Sequence, residues 1–319
     1  MSLLEERVYY KPFKYDWAFE AYKKQQQSHW MPEEVNLHDD IRDYREKLTV
    51  PNRRLIDNIF RFFTQADVDV AGGYAEHYLP NFKAPEVRMM LSAFAAMEAV
   101  HMEAYALLVD TLGKSEDFYK EFMDIQEMAE KHEYLTNFNM ENPFEIAKTL
   151  AVYSGFTEGV QLFGSFAILL NFPRHNLMKG MGQIVTWSVR DESLHVEGMS
   201  KLFRAFVQEN PEIWNDRLKY EIYCAAERVV ELENNFIDTC FEKAEIQDLT
   251  PEEVKEYIRY IAGRRLLGLG MKNIFHTKVN PLPWIDYQLN AVEHTNFFEN
   301  RATEYAKAST QGNWQDIFK

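Results

Sequence analysis

Apolar residues recur at intervals of three and four along most of this chain, and that spacing is typical of amphipathic helices. The clearest stripe follows Pro51 and runs from Leu55 to Val70, and another begins at Pro85 and ends near Gly113. No alternating run is long enough to predict a sheet. We therefore expect an all-α fold with helices over about 51–73, 85–112, 143–170, 184–195, 213–242 and 251–269, the last broken by Gly263, Gly268 and Gly270.

Three stretches depart from this pattern. The region from Lys114 to about Asn142 is charged, with irregular apolar residues, and it predicts a surface helix pair or a connection. The stretch from Asn280 to Trp284 contains two prolines and should end regular helical structure. From about Asn296 onward few apolar anchors remain. We expect one helical domain over residues 1–295 and a flexible C-terminal tail over 296–319.

Two of the predicted helices carry a Glu three residues before a His. The pairs are Glu98 with His101 and Glu192 with His195. Three residues make about one helical turn, so both side chains of a pair lie on one face and can bind the same metal ion. A four-helix bundle that holds two metal ions uses two such helices and one carboxylate from each of two further helices. The simpler alternative is a buried Glu–His ion pair in each helix.

Two further acids interrupt apolar faces. Asp67 lies among phenylalanines and valines, and Glu158 is the only charged residue between Lys148 and Arg174. A charge in such surroundings is costly unless it has a partner, although Asp67 could instead face solvent. With the two Glu–His pairs, these acids make four carboxylates and two imidazoles. That donor set suits two iron or manganese ions and disfavours structural zinc, which prefers thiolates.

Tyr105 extends the same set of residues. It lies seven residues after Glu98 and four after His101, so two helical turns place its phenol on the face that carries the ligands. A phenol near redox-active metals can act as their redox partner. The chain has 17 tyrosines and most must be packing residues, so the spacing leaves both roles open.

Composition narrows the function classes. The 319 residues are 46% hydrophobic, which is enough for a large core, and a formal net charge of −15 argues against a nucleic-acid partner. The N-terminus does not resemble a signal peptide, and the most apolar stretch, 159–172, is too short to span a membrane. Cys224 and Cys240 show no metal-binding spacing. We expect a cytoplasmic protein with reduced thiols, no membrane span and no nucleic-acid partner.

Taken in chain order, these residues resemble the small, radical-generating subunit of class I ribonucleotide reductase. The resemblance covers about residues 30–305. It is carried by Asp67, by Glu98, His101 and Tyr105, by Glu158-Gly159 ahead of Gly164-Ser165-Phe166, by Arg190-Asp191-Glu192 leading to His195, by Trp30 in Trp-x-Pro-Glu-Glu, and by Asn280 to Trp284.

The resemblance implies a ferritin-like helical bundle with a dinuclear metal centre in its core. Two irons are the preferred occupants, with two manganese ions or a Mn/Fe pair as alternatives. Glu98 and Glu192 would be free to bridge the two ions. Asp67, Glu98 and His101 would hold one ion, and Glu158, Glu192 and His195 the other.

The resemblance also implies a path for the radical. Tyr105 would carry the stable radical, Trp30 would belong to the transfer chain, and Asp191 would link Trp30 towards His101. Tyr305 in the tail would pass the hole to a large catalytic subunit, which reduces ribonucleotides to deoxyribonucleotides. The small subunit would form a homodimer and dock its tail on that partner, although the short ending of the chain leaves the docking mode open.

Two other hypotheses remain. A ferritin-like diiron or Mn/Fe oxidase would act on a bound small molecule or fatty acid, and it would need neither Trp30 nor Tyr305. A metal-storage or purely structural bundle would bind metal without turning over a substrate.

Overall fold

Helices follow the predicted apolar stripes through most of the chain. The computed structural model describes residues 2–135 and 138–289, and within those ranges the only β-type pairing is an isolated bridge between Ile246 and Leu249. The all-α prediction is confirmed. The longer helices are α1 (Asp16–Gln27), α2 (Val50–Gly72), α3 (Pro85–Thr111), α4 (Gln126–Leu135), α5 (Pro143–Val152), α6 (Phe163–Arg174), α7 (Lys179–Glu209), α8 (Asp216–Phe241) and α9 (Pro251–Gly268).

Short helical segments lie between the longer helices. Short α-helical segments cover His38–Arg42, Leu79–Asn81 and Glu158–Val160. Turns of 3-10 helix cover Pro32–Glu34, Glu116–Tyr119, Glu121–Asp124 and Pro211–Ile213. The π-helical turns are Asp43–Lys47, Gly73–Tyr78 and Tyr153–Thr157.

The sequence marks where several of these helices begin. Pro51 and Pro85 stand in the first turns of α2 and α3, where a missing backbone N–H costs nothing. Side chains at the preceding positions also accept hydrogen bonds from the first free N–H groups, and these are Thr49 before α2, Asn142 before α5 and Asn215 before α8.

The helices that carry the predicted ligands pack against one another. α3 packs against both α1 and α2, and α7 packs against α3, α6 and Glu158–Val160. Large side chains fill the space between them, and Phe63, Phe94 and Phe166 are almost wholly buried. The predicted ligands therefore share one apolar interior.

One predicted helix is interrupted. The apolar pattern predicts a helix from Pro143 through Glu158 to about Leu170, but α5 ends at Val152 and α6 begins at Phe163. A π-helical turn and the short Glu158–Val160 helix lie between them. The hydroxyl of Tyr153 in this turn donates a hydrogen bond to the carbonyl of Val70 at 2.8 Å. This contact with α2 accompanies the break in the helix. The apolar periodicity of the sequence carries no information about such contacts between helices.

Other expectations about helix bounds need correction. Gly263 does not break α9, which continues to Gly268. A Cβ at position 263 would lie 2.5 Å from the side chain of Asn273, so the glycine leaves room for this side chain. Helix α1 was not predicted, since its sequence is mixed and aromatic.

The end of the described chain forms a separate unit. Residues 283–289 are helical, which corrects the expectation that regular helix ends between Asn280 and Trp284. The predicted tail, 296–319, lies outside the described residues. In the part of the chain that the structure covers, no helix combines the length and the apolar character needed to cross a bilayer.

Candidate metal centre

The six predicted ligands lie together in the core. Ligand atoms of Glu98, His101 and Glu192 fall within 4.8 Å of one another, and so do those of Glu158, Glu192 and His195. Because Glu192 belongs to both groups, two ions bound there would be neighbours. All six side chains are at most 2% exposed.

Asp67 lies beside the first of these groups. It lines a small cavity together with His101, Tyr105 and Glu192. Burial and the nearby carboxylates of Glu98 and Glu192 raise the pKa of Asp67 well above its ordinary value. Asp67 therefore faces the ligand cluster, and the alternative that it faces solvent is wrong.

The two histidines are oriented alike. His101 Nδ1 lies 3.3 Å from carboxylate oxygens of Glu98 and of Glu192, and His195 Nδ1 lies 2.8 Å from Glu98 Oε1. Both Nε2 atoms point to outer partners, namely Asp191 Oδ2 at 3.4 Å from His101 and Gln25 Oε1 at 3.1 Å from His195. In the metal-loaded protein, an Nε2–H that donates to these oxygens would leave each Nδ1 to bind a metal ion.

The charges of the cluster favour bound cations. Burial opposes ionisation of Glu98, but hydrogen bonds from His101 and His195 lower its pKa to about 2. Burial and the charges of Glu192 and Glu98 raise the pKa of Glu158 well above its ordinary value. Two divalent ions would neutralise four such carboxylates, which is how a charged cluster can be stable in an apolar core.

Several oxygens of the cluster have no hydrogen-bond partner. Asp67 Oδ2, Glu158 Oε1 and Glu192 Oε2 are buried and accept no hydrogen bond from any residue within 2–135 and 138–289. Buried polar atoms are normally satisfied, so such orphans call for an explanation. The donors therefore fit a pair of metal ions that prefer oxygen and imidazole ligands.

Asp191 joins the cluster to Trp30. The indole Nε1 of Trp30 donates to Asp191 Oδ2 at 2.8 Å, and the same oxygen accepts from His101. Arg190 Nη2 donates to the other oxygen at 3.2 Å. Burial of Asp191 opposes the ionisation of its carboxyl group. The hydrogen bond and charge of His101, together with the charge of Arg190, nevertheless lower the pKa of Asp191. A continuous hydrogen-bonded path thus runs from Trp30 to a ligand histidine.

Tyr105 is buried beside the first ligand group. Its ring packs 4.8 Å from that of Phe63, and its hydroxyl lies in the cavity that Asp67 and Ser188 also line. Burial and the charge of Asp67 raise its pKa, so the phenol is neutral. Ser188, which lines the same cavity, acts in the opposite direction and lowers this pKa.

Sequence reasoning missed two residues next to the ligands. Gln25 donates from Nε2 to Asp191 Oδ1 at 3.3 Å while its Oε1 accepts from His195, and nothing in the sequence around it indicates this. The Tyr74 hydroxyl donates to Glu158 Oε2 at 2.9 Å. A signal for Tyr74 was available, because it follows Asp67 by seven residues as Tyr105 follows Glu98. Tyr305, the remaining predicted site residue, lies outside the described residues.

Comparisons with known proteins decide the family. Residues 7–281 match the family model described as "Ribonucleotide reductase, small chain". The chain belongs to this family. A probable ribonucleoside-diphosphate reductase small subunit of Invertebrate iridescent virus 6 is 46% identical, over 100% of this chain and 99% of the relative. The ribonucleoside-diphosphate reductase subunit beta of Chlamydia pneumoniae is 32% identical, over 93% and 89% of the two chains.

A solved structure supports the same fold. The ribonucleotide reductase R2 subunit from Clostridium botulinum has a TM-score of 0.81 and 21% identity, over 91% of this chain and 99% of that one. The expected ferritin-like bundle is confirmed. This small chain has the function of its class I ribonucleotide reductase family, in which the small subunit generates the radical for ribonucleotide reduction. Members of the family act with a large subunit.

Proposed function

We propose that the buried cluster holds the dinuclear metal centre of this small chain and that Tyr105 carries its radical. The observation that carries the proposal is the convergence of four carboxylates and two imidazoles, with Tyr105 and the Trp30 path both in contact with the same site. The proposed ligands are Asp67, Glu98, His101, Glu158, Glu192 and His195.

Two irons are the proposed occupants, with two manganese ions or a Mn/Fe pair as alternatives. The oxygen-rich donor set with two imidazoles suits these metals. When bound, such redox-active ions supply the oxidising power that converts a phenol into its radical.

The chain's own residues orient the site and exclude water from it. One carboxylate oxygen of Asp191 accepts hydrogen bonds from both the indole N–H of Trp30 and the imidazole N–H of His101. Phe63 and Phe166 form an apolar part of the lining of the cavity that Tyr105 shares with the ligands. In the proposed transfer, one electron passes from Trp30 to the Tyr105 radical, so that Trp30 is oxidised and Tyr105 is reduced, while Asp191 keeps Trp30 and His101 in hydrogen-bonded contact.

The proposal extends to partners and location. The tail over 296–319 docks on the large subunit and Tyr305 passes the hole, both outside the described residues. The chain forms a homodimer, and the exposed Ala96 and Ala99 on α3 give an outer face on which a second copy could pack closely. A cytoplasmic location is supported by Cys224 and Cys240, which form no disulfide.

Electron paramagnetic resonance tests the radical assignment. Protein loaded with Fe(II) and exposed to O₂, or loaded with Mn(II) and treated with a flavoprotein oxidant, should give a radical signal from a tyrosine. Tyr105→Phe should abolish it, whereas Tyr78→Phe, another buried tyrosine, should keep it. A tyrosyl signal unchanged in Tyr105→Phe would remove this role.

Turnover with a matched large subunit tests the transfer path. Trp30→Phe and Tyr305→Phe should each keep the tyrosyl signal and lose ribonucleotide reduction. Full turnover in either variant would exclude that residue from the path.

A further inference from the structure

Tyr74 is a buried tyrosine that contacts a predicted ligand but has no place in the radical path. Its hydroxyl donates to Glu158 Oε2, and its ring lies 6.2 Å from the His195 ring in an edge-to-face arrangement. We propose that Tyr74 is a positioning residue that fixes the orientation of Glu158 for the second metal position. The inference rests on the proposed dinuclear centre and adds a residue to it.

The geometry of Glu158 explains why a positioning residue is needed. Tyr74 engages Oε2, and the other oxygen, Oε1, is buried without a hydrogen-bond partner among the described residues. A single hydrogen bond therefore separates the roles of the two oxygens, one held by the protein and one left to bind an ion. Outer partners of this kind orient metal ligands and raise metal affinity.

The fold holds Tyr74 firmly in this place. It stands in the π-helical turn Gly73–Tyr78, which directly follows α2. A Cβ at Gly73 would lie 2.5 Å from the hydroxyl of Tyr153, so the turn packs tightly on that tyrosine. Tyr153 is itself bound to the Val70 carbonyl, and the rings of Tyr74 and Tyr153 meet edge to face at 6.4 Å.

Tyr74 and Tyr105 contact opposite members of the ligand set in different ways. Tyr105 lines a cavity together with Asp67 and Ser188. The Tyr74 hydroxyl is committed to Glu158. Removal of the Tyr74 hydroxyl should thus alter one metal position and leave the Tyr105 pocket unchanged.

Anaerobic titration with Mn(II) tests the proposal. Electron paramagnetic resonance measures the concentration of free Mn(II), and from it the number of bound ions and their dissociation constants. The wild-type chain should bind two ions. Tyr74→Phe should weaken one of them by about 10- to 100-fold and leave the other unchanged. Tyr78→Phe is the matched control, because Tyr78 lies in the same turn and its hydroxyl donates to the distant Thr149 carbonyl at 3.4 Å.

A double variant asks whether Tyr74 acts through Glu158. In a Glu158→Ala background, Tyr74→Phe should have no further effect on the ion that still binds. A further loss there would overturn the proposal, and so would wild-type affinities for both ions in Tyr74→Phe or equal losses in Tyr74→Phe and Tyr78→Phe. If the wild-type chain binds fewer than two ions, the dinuclear centre itself is wrong, and that result precedes any substitution.

Discussion

Two buried clusters of charged residues in this bundle are balanced in opposite ways. In one, Lys131 and Glu233 form a fully buried ion pair, and Lys131 Nζ also donates to the Gln161 carbonyl at 3.1 Å. The Lys131 ammonium lies 3.7 Å and 4.2 Å from the ring centroids of Phe62 and Phe236. This cluster contains its own cation. At the metal centre the carboxylates outnumber the cationic groups that the chain supplies.

The comparison teaches where the chain depends on something bound. A buried pair carries equal and opposite charge, and removing one partner leaves the other charge buried and uncompensated. At the metal centre, burial and mutual repulsion raise the pKa values of Asp67, Glu158 and Glu192. In the proposed function, bound ions supply the missing positive charge, so we expect the apoprotein to tolerate changes there that the loaded protein does not.

The largest effect should follow from breaking the self-sufficient pair. Lys131→Met leaves Glu233 without its partner in an apolar site, and we expect the free energy of unfolding to fall by about 3–5 kcal/mol. Chemical denaturation of the apoprotein measures this fall in the free energy of unfolding. Lys131→Met combined with Glu233→Leu should recover most of the loss, because no unpaired charge remains. An unchanged stability in the single variant would contradict the proposed balance.

Stabilisation of the protein by bound metal should be the next largest effect. It should depend on residues of the metal centre and not on the Lys131–Glu233 pair. Free Mn(II) at about 10 times its dissociation constant should stabilise the protein by about 1.4 kcal/mol for each site, or about 2.8 kcal/mol for two sites. Differential scanning calorimetry with and without Mn(II) measures this. The Lys131→Met and Glu233→Leu double variant should keep the increment, whereas Glu192→Gln should lose most of it. Retention of the full increment in Glu192→Gln would separate Glu192 from the metal.

The pH dependence of the apoprotein should be smaller but distinctive. The pKa values of Asp67 and Glu158 are raised in the folded state, so the folded chain binds protons that the unfolded chain has released. Stability should therefore rise as pH falls towards the ordinary pKa of a carboxyl group, with each unit of pKa difference worth about 1.4 kcal/mol. Metal affinity should fall over the same range, because the ligands bind ions when deprotonated.

Glu158→Gln is the control for this titration. It removes one of the groups with a raised pKa, so apoprotein stability should vary less steeply with pH than in the wild-type chain. Denaturation at several pH values compares the slopes, and equal slopes would show that Glu158 keeps its ordinary pKa.

The smallest effect should come from neutralising one acid of the apoprotein's metal centre. Glu192→Gln keeps the shape of the side chain and removes the repulsion from Glu98. Burial is the largest cause of the raised pKa of Glu192, and this repulsion is the second. We expect a change of about 1 kcal/mol or less in the apoprotein. Chemical denaturation without metal measures it. A loss as large as that of Lys131→Met would mean that Glu192 is already balanced within the chain.

Much of the metal centre could be predicted because its pattern is local. Glu98 with His101 and Glu192 with His195 need only a helical turn to face the same ion, and flanking apolar residues show that these faces are buried. The lone acids Asp67 and Glu158 stood out because an uncompensated charge in an apolar run needs a partner.

The residues that sequence reasoning missed, both at the metal centre and in the Lys131–Glu233 pair, come from other segments of the chain. Gln25 comes from α1, Tyr74 from a π-helical turn, and Lys131 from α4 to meet Glu233 on α8. Gln25 and Lys131 look like ordinary polar residues in their own segments, and their roles exist only through a hydrogen bond or ion pair with a distant residue.

The sequence alone thus determined the all-helical class, the two Glu–His faces and the order of the ligands along the chain, since those depend on spacing within one helix. Tertiary structure alone decided the break around Glu158, the orientation of both imidazoles through Asp191 and Gln25, and the contact of Tyr74 with Glu158. The physical reason is that periodicity fixes which face of a helix is buried, whereas packing between helices fixes which atoms meet across it.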